Sequence, residues 1–416
     1  MNRIFKALLA IGPGIFAIGY TIGTGSVTSM IVAGSSYGMQ LLWVLFLSCL
    51  FSWVMMEAYG RYAIVTGETA LFGFRQHLRF GKIACYLIII GVVFGQWNSL
   101  IGILGISSNV IFETLNLFFP ALEQYQYTLV LVIAVIIIVV MNVLLWVGKY
   151  NFFEKVLIFF VTIMGISFLF SLFVVLPPTK EILKGMLPSI PQVEGGRMLV
   201  AAFVGTTMAA ATFLSRPLFI KGKGWGMDHM RNQKRDAMSA ALLIFFISGA
   251  IMAVSMGAMY YQGQTVDKAL DMVYALEPVA GKFAIAIFLL GTMSAGLSSI
   301  FPIMMIAPML IADFQSGKLD TKSTQFRVLV IIASIIGLIV PILDANPVQA
   351  QILTQVFNVF VLPLVIVGIM ILVNSKRLMG AYRAGIILNV GMAAAFVFSC
   401  VISYNGVLGV IQYFQN

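Results

Sequence analysis

The sequence predicts an all-α protein that crosses a membrane many times, and two observations carry that prediction. Of its 416 residues, 61% are apolar and only 10% are charged, against about 25% charged in an ordinary soluble domain. The mean hydropathy is +1.02, and the apolar runs are long and continuous, whereas an outer-membrane barrel would show short alternating segments. This balance excludes a soluble enzyme, a nucleic-acid-binding protein and a disordered chain.

Eleven segments are apolar enough to cross a bilayer and reach the helix length of about 20 residues that a crossing needs. In chain order they cover roughly residues 8–34, 39–63, 83–112, 127–148, 152–176, 198–220, 237–261, 283–312, 326–343, 350–374 and 384–411. The loops between them are too short for a soluble domain, so residues 1–416 are expected to form one transmembrane domain. Nothing in the sequence indicates a cofactor.

The basic residues predict the orientation of the chain. If the N-terminus lies inside, 20 of the 25 Lys and Arg residues fall on the inner side of the membrane. The outer side keeps five, namely Lys180, Lys184, Arg197, Lys268 and Lys282. This asymmetry is the positive-inside pattern, and it accounts for the net charge of +10 without a nucleic-acid partner.

We therefore expect a multi-pass protein of a prokaryotic plasma (inner) membrane, with a cytoplasmic N-terminus and an outer C-terminus. Its expected partners are the lipid bilayer and a small ion or solute, and it is expected to be a monomer. It is not expected to be an enzyme.

The first predicted span contains a candidate helix break. Its residues Gly23-Thr24-Gly25-Ser26 include two glycines, each of which weakens a helix by about 1 kcal/mol. The neighbouring hydroxyls can satisfy the backbone groups that an unwound turn releases. The alternative is a stripe of small residues that packs against another helix.

The sixth predicted span contains a second candidate break. Thr206, Thr207 and Thr212 flank Ala209 there, although the alanines favour helix. First and sixth are the positions that an inverted repeat of five plus five spans requires. The repeats are then expected at about 8–176 and 198–374, with an extra helix at about 384–411.

Several short segments carry a resemblance to a known family. They are Gly12-Pro13-Gly14, Ala33-Gly34-Ser35-Ser36-Tyr37-Gly38, Leu41-Leu42-Trp43-Val44, Ile64-Val65-Thr66-Gly67-Glu68, Ala295-Gly296-Leu297-Ser298-Ser299, Leu362-Pro363 and Lys376-Arg377-Leu378-Met379-Gly380, together with Gln355. In these segments the chain resembles the Nramp family of divalent-metal transporters. The resemblance implies the LeuT-like fold, with helices 1 and 6 broken, and transport of a small solute by alternating access.

The chain departs from that family at the metal site. The family carries Asp-Pro-Gly-Asn in its first span, and Gly23 and Ser26 stand here at the Asp and Asn positions. The family's Met-Pro-His in the sixth span aligns with Ala209-Ala210-Ala211. The resemblance thus leaves the metal ligands unknown, because these positions lack the carboxylate and the thioether that favours transition metals.

Three functions remain open from the sequence. The first is transport of a divalent cation, such as hydrated Mg²⁺ or Mn²⁺, by hydroxyls, backbone carbonyls and the amides of Gln355 and Asn358. The second is transport of an amino acid or another small carboxylate, held by exposed N–H groups at the Gly23-Thr24-Gly25 break. The third is a sensor that does not transport.

Three further residues are candidates for the transport pathway or its coupling. Glu57 lies one turn before Arg61, so it forms either a structural pair or a cation station. Trp97 lies in an unusually polar stretch of the third span, which either lines the pathway or joins helices through polar contacts. Arg216 replaces a histidine that the family uses near its proton route, and it either acts inside the membrane or extends to the inner interface. Because arginine keeps its proton, coupling to protons is not expected.

Overall fold

The computed structural model describes residues 12–147, 150–174, 177–189, 196–263, 271–343 and 347–415. Within them, ten helices are long and apolar enough to cross a membrane, and a bent pair of shorter helices makes an eleventh crossing. The spans are 1a and 1b (Gly14–Thr21 and Thr24–Tyr37), 2 (Leu42–Thr66), 3 (Gly81–Phe118), 4 (Gln126–Val147), 5 (Tyr150–Val174), 6a and 6b (Gly196–Thr207 and Ala210–Gly222), 7 (Met230–Met259), 8 (Asp271–Ser316), 9 (Thr324–Gly337 and Ile339–Leu343), 10 (Pro347–Phe360 and Leu362–Asn374) and 11 (Ile386–Gln415).

Short helices join some of these spans. Ala70–His77 connects spans 2 and 3, Thr179–Gly185 follows span 5, and Lys376–Met379 follows span 10. Span 2 ends where Gly67 adopts a left-handed conformation with φ 69°, a conformation that glycine accepts at a helix end without a side-chain clash. The predicted start of span 1, residues 8–11, lies outside the described residues.

Span 7 starts earlier than the sequence predicts. It begins at Met230 rather than at residue 237, because its first two turns form an amphipathic helix. Arg231, Lys234 and Arg235 are exposed on one face, and Gln233 and Asp236 are buried on the other. The charged residues lower the mean hydropathy of these turns, so a hydropathy criterion places the start of span 7 too late in the chain. The early start carries Asp236 into the protein interior.

Burial divides the spans into an inner and an outer group. In span 6, 94% of the most apolar stretch is buried, and in span 8 the share is 83%, whereas spans 4 and 11 bury 33% and 28%. Spans 6 and 8, together with span 1a, whose residues are all buried, therefore form the centre. Spans 4 and 11 present apolar side chains to lipid, as helices at the edge of a bundle do. The end that carries Arg61, Arg75 and Lys221 is called the basic end below.

Candidate functional site

The break in span 1 lies at Ile22 and Gly23, and the axes of spans 1a and 1b differ there by 55°. Gly23 has an extended backbone, with φ −101° and ψ −178°. A side chain on Gly23 would collide with Ser299 of span 8, since a Cβ atom there would lie 2.7 Å from the Ser299 Cβ. The Ser299 hydroxyl donates to the carbonyl of Gly19 at 2.5 Å, so span 8 supports the end of span 1a.

The break in span 6 lies at Met208 and Ala209, with no glycine or proline at either position. Ala209 leaves the helical region, with φ −58° and ψ 120°. The carbonyl of Thr207, which would otherwise continue the helix, accepts a hydrogen bond of 2.7 Å from the Ser52 hydroxyl of span 2. A partner from another span thus satisfies the released backbone group, as a break inside a membrane requires.

The two breaks enclose a small polar cavity. Among the residues predicted for the site, Gly23, Gly25, Ser26, Thr206, Ala209 and Gln355 line it. The lining also includes Tyr20, Thr21, Gln96, Ser99, Ile103 and Ile303, which were not among the predicted site residues. The cavity volume of about 10 Å³ has room for about one water-sized sphere.

A chain of amide and hydroxyl groups forms one wall of the cavity. Ser99 of span 3 accepts hydrogen bonds from the Nε2 atoms of Gln351 and Gln355 of span 10, at 2.8 and 2.7 Å. Gln355 Oε1 accepts from Asn358 at 3.0 Å, and Asn358 accepts from Gln96 at 3.1 Å. These hydrogen bonds fix the position of Gln355, whose amide packs against the backbone of Gly25.

Three other predicted residues, Thr207, Asn358 and Thr212, are not part of the cavity wall. Thr207 is buried and bonds back to Phe203, and Asn358 supports Gln355 from behind. The buried Thr212 hydroxyl has no hydrogen-bond partner among the described residues. The side chain of Thr24 lies outside the described residues.

The cavity wall is uncharged. None of its residues is Asp, Glu, His, Lys or Arg, and no cluster of three His, Cys, Asp or Glu side chains suitable for a metal occurs in the described part of the chain. The polar atoms are hydroxyls, amides and the backbone at the carbonyl end of span 1a. A helix end of this kind carries a partial negative charge and can hold a cation with neutral oxygen ligands.

Arg216 lies inside the protein, so the interpretation that it extends to the interface is wrong. It is 1% exposed and donates to Asp236 Oδ2 at 2.8 Å. It also donates to the backbone oxygen and to Oε1 of Gln233, at 3.2 and 3.1 Å. Arg216 does not line the cavity. Burial of such a charge requires a partner of opposite charge, and that partner, Asp236, was not among the predicted site residues.

Glu57 and Trp97 also lie away from the cavity wall. Glu57 accepts from Arg61 at 2.7 Å and lies 3.5 Å from Lys234, the geometry of a structural pair. Trp97 is half-buried and its ring N–H has no partner within the described residues. The polar stretch around Trp97 does reach the cavity, but through its neighbours Gln96 and Ser99.

Comparison with known proteins decides the family. The family model "Natural resistance-associated macrophage protein-like" matches residues 14–409. The chain belongs to the Nramp family. A divalent metal cation transporter MntH of Vibrio campbellii is 25% identical over 418 residues, which span 98% of this chain and 93% of the relative. A second MntH, from Erwinia tasmaniensis, is 24% identical over 91% of this chain and 89% of the relative.

Solved structures agree on the fold of this Nramp-family chain. A variant of the manganese transporter of Eremococcus coleocola superposes with a TM-score of 0.73 at 15% identity, covering 100% of this chain and 90% of that one. The fold is the LeuT-like fold expected from the sequence, with interruptions in spans 1 and 6. The boundaries of the two inverted repeats stay a prediction.

Proposed function

We propose that this Nramp-family protein is a secondary transporter of a divalent metal cation. The cation, with part of its hydration shell, enters the central cavity when the cavity widens beyond the volume of about one water-sized sphere that it has in this structure. The observation that carries the proposal is a small cavity, walled by neutral oxygen and amide groups, at the two breaks of a divalent-metal-transporter fold. A fully dehydrated divalent ion would lack a counter-charge there. An ion that keeps several of its waters, as Mg²⁺ does, loses less hydration on entering an uncharged site.

The ligands of this cation are assigned from the cavity wall. They are the carbonyl end of span 1a at Tyr20 and Thr21, the hydroxyls of Ser26 and Thr206, and the amide of Gln355. The buried Ser26 hydroxyl has no hydrogen-bond partner among the described residues, so it is available to an ion or its water. None of the wall residues is a methionine or cysteine, so Mn²⁺ gains little over Mg²⁺.

Transport is proposed to be independent of protons. No wall residue changes its charge between pH 5 and 8, and Arg216 cannot release a proton. The protein is further proposed to be monomeric and to lie in a prokaryotic plasma membrane, with its basic end and N-terminus in the cytoplasm, because the basic loops favour that orientation.

An amino-acid substrate is not favoured. The wall offers no positively charged side chain to bind a carboxylate, and the relatives are divalent metal cation transporters. A sensor that does not transport is also not favoured, since the metal-transporter relatives cover nearly the whole chain.

The test is transport into proteoliposomes that contain a metal-sensitive fluorophore in one preparation and a pH-sensitive fluorophore in another. Mn²⁺ and Mg²⁺ should enter with apparent affinities that agree within about tenfold, without acidification of the lumen and without inhibition by a panel of amino acids. If neither Mn²⁺ nor Mg²⁺ enters, the proposal of divalent-metal transport is contradicted. Proton entry in a fixed ratio to metal would contradict the absence of coupling.

A further inference from the structure

We propose that Asp236 is a latch that holds span 1a closed at the basic end, and that breaking its contacts opens the cavity to that side. The inference rests on the proposed transport function, because a gate has a meaning only in a transporter. The residues that carry it are Asp236 and Arg216, neither of which lines the cavity.

The Asp236 carboxylate is fully engaged. Its Oδ1 atom accepts from the backbone N–H groups of Gly12 and Gly14 at 2.7 and 3.1 Å, and Oδ2 accepts from Gly14 at 3.0 Å. Oδ2 also accepts from Arg216 at 2.8 Å. Asp236 is 3% exposed, so these charge-assisted bonds form away from water, where they are strong.

The carboxylate caps a helix to which it does not belong. An N-terminal cap normally comes from the residue just before the helix, but Asp236 lies more than 220 residues away, in span 7. Gly14 makes the approach possible, since a Cβ atom there would lie 2.8 Å from Asp236 Oδ1. The bond therefore joins two spans and does not merely complete one of them.

The contacts of Asp236 continue through Arg216 to span 6b and through Gln233 to span 2, which is not broken. Arg216 lies in span 6b, which begins directly after the break at Ala209, and span 1a ends directly before the break at Gly23. Spans 1a and 6b, each bounded by a break, are called the hinged segments. Gln233 of span 7 accepts from Arg216 and donates to the backbone oxygen of Glu57 in span 2 at 3.1 Å. Both hinged segments are thus tied to spans 2 and 7.

The closed latch is not fully satisfied. The Nε and Nη1 atoms of Arg216 are buried and have no hydrogen-bond partner among the described residues. Buried donors without partners raise the free energy of the closed state. Water that enters on opening can bind these donors and offset part of the lost ion pair, which suits a contact that must break and re-form.

Asp313 supplies a matched control. It is also a buried aspartate, and its carboxylate accepts from the backbone N–H groups of Leu71 and Phe72 at 3.0 and 3.2 Å. It therefore caps the helix Ala70–His77 from span 8. That helix adjoins neither break, so removing its cap should lower stability without opening the cavity.

The experiment measures the reactivity of reporter cysteines in the full-length protein in detergent, without substrate, after Cys49, Cys85 and Cys400 are replaced by alanine. Leu157→Cys reports on the basic side, because Leu157 is fully buried and packs against Gly19 of span 1a. Ser107→Cys reports on the opposite half of span 3, where the Ser107 hydroxyl is buried. A maleimide reacts with each in proportion to the open population.

Asp236→Asn should raise the labelling rate of Leu157→Cys at least tenfold and leave that of Ser107→Cys within twofold. Arg216→Lys, which keeps the charge but cannot reproduce the guanidinium contacts, should give a smaller rise at Leu157→Cys. Asp313→Asn should change neither rate by more than twofold.

A rise at both reporters would mean general loosening, and no rise at Leu157→Cys in a monodisperse protein would mean that Asp236 does not hold the gate. Either result overturns the latch. If Asp236→Asn does not fold, Arg216→Lys decides alone, and an unchanged rate at Leu157→Cys overturns the proposal. Since no metal is present, these results are independent of whether metal transport is found.

Discussion

The centre of the molecule and its basic end use opposite chemistry. The cavity wall contains no charged side chain, whereas the basic end holds the pairs Arg216–Asp236, Arg61–Glu57 and Lys223–Glu154. Both regions contact span 1 or the spans next to it. The proposed substrate site offers only neutral groups, whereas the ion pairs Arg216–Asp236 and Lys223–Glu154 join the segment of span 6b to spans 7 and 5.

The difference follows from what each region has to do. A cation that keeps part of its water needs many weak oxygen contacts, which can be exchanged quickly. A helix end that must stay closed most of the time needs a few strong contacts that break together. The following predictions each alter one side of this comparison.

The largest effect is expected from giving the centre a charge. Gly23→Asp alone should misfold or unfold at a lower temperature, because its Cβ would collide with Ser299 and overpacking costs about 1–3 kcal/mol. Gly23→Asp with Ser299→Gly removes the collision and supplies the carboxylate. Titration calorimetry should then show Mn²⁺ binding at least about tenfold tighter than in the parent.

The double variant has two controls. Ser299→Gly alone should not tighten Mn²⁺ binding, and adding Ala209→Met to the double variant should favour Mn²⁺ over Mg²⁺ further, since a thioether is a soft ligand. Tight Mn²⁺ binding by the unmodified protein would contradict the assignment of a neutral site.

A smaller effect is expected when one polar side chain is removed from the uncharged cavity wall. Gln355→Ala removes one proposed ligand and the partner of Ser99 and Asn358. Initial uptake rates should show the apparent affinity for Mn²⁺ and Mg²⁺ falling together, by about fivefold, as expected when one polar contact of about 1 kcal/mol is lost.

Asn142→Ala is the matched control for Gln355→Ala. Asn142 is an amide that links spans 4 and 9 through Ser334 at 2.9 Å, and it does not line the cavity. It should leave both affinities unchanged. A loss for Mn²⁺ alone after Gln355→Ala would indicate a selective site and would contradict the neutral wall as the source of binding.

The smallest effect is expected at the pair on the rim of the basic end. Glu57→Gln removes an ion pair with Arg61 that is partly open to water, and such pairs contribute about 0–1 kcal/mol. Thermal unfolding should shift little and the uptake rate should stay within twofold of the parent. A tenfold loss of uptake with unchanged stability would instead support Glu57 as a cation station.

The number of spans and the fold were predictable because they depend on hydropathy and on a family pattern spread along the chain. The break in span 1 was predictable as well, since Gly23 and Gly25 mark it locally. The partner of Arg216 was not, because Asp236 follows the charged run Arg231–Arg235 and reads as part of a loop. A helical period of three to four residues from Gln233 to Asp236 and Ala237 was the available signal.

The composition of the cavity wall was predictable only in part. Glycines and hydroxyls at the breaks were identified, but Gln96 and Ser99 face the cavity while their neighbours Trp97 and Asn98 do not. The direction of a side chain on an apolar helix depends on where the other helices lie, and a single sequence does not contain that information. Ser299 was visible as part of a small-residue segment, but its contact with Gly23 is a tertiary feature.

The hydrogen bond from Ser52 to Thr207 has a consequence for biogenesis. Met208 and Ala209, the residues at the break in span 6, are neither glycine nor proline, so they do not themselves favour an interruption when the span first enters the bilayer. An isolated membrane helix keeps its backbone bonds because lipid offers no substitutes. We therefore expect the span to insert as one continuous helix and the interruption to form when span 2 brings its hydroxyl to the released carbonyl.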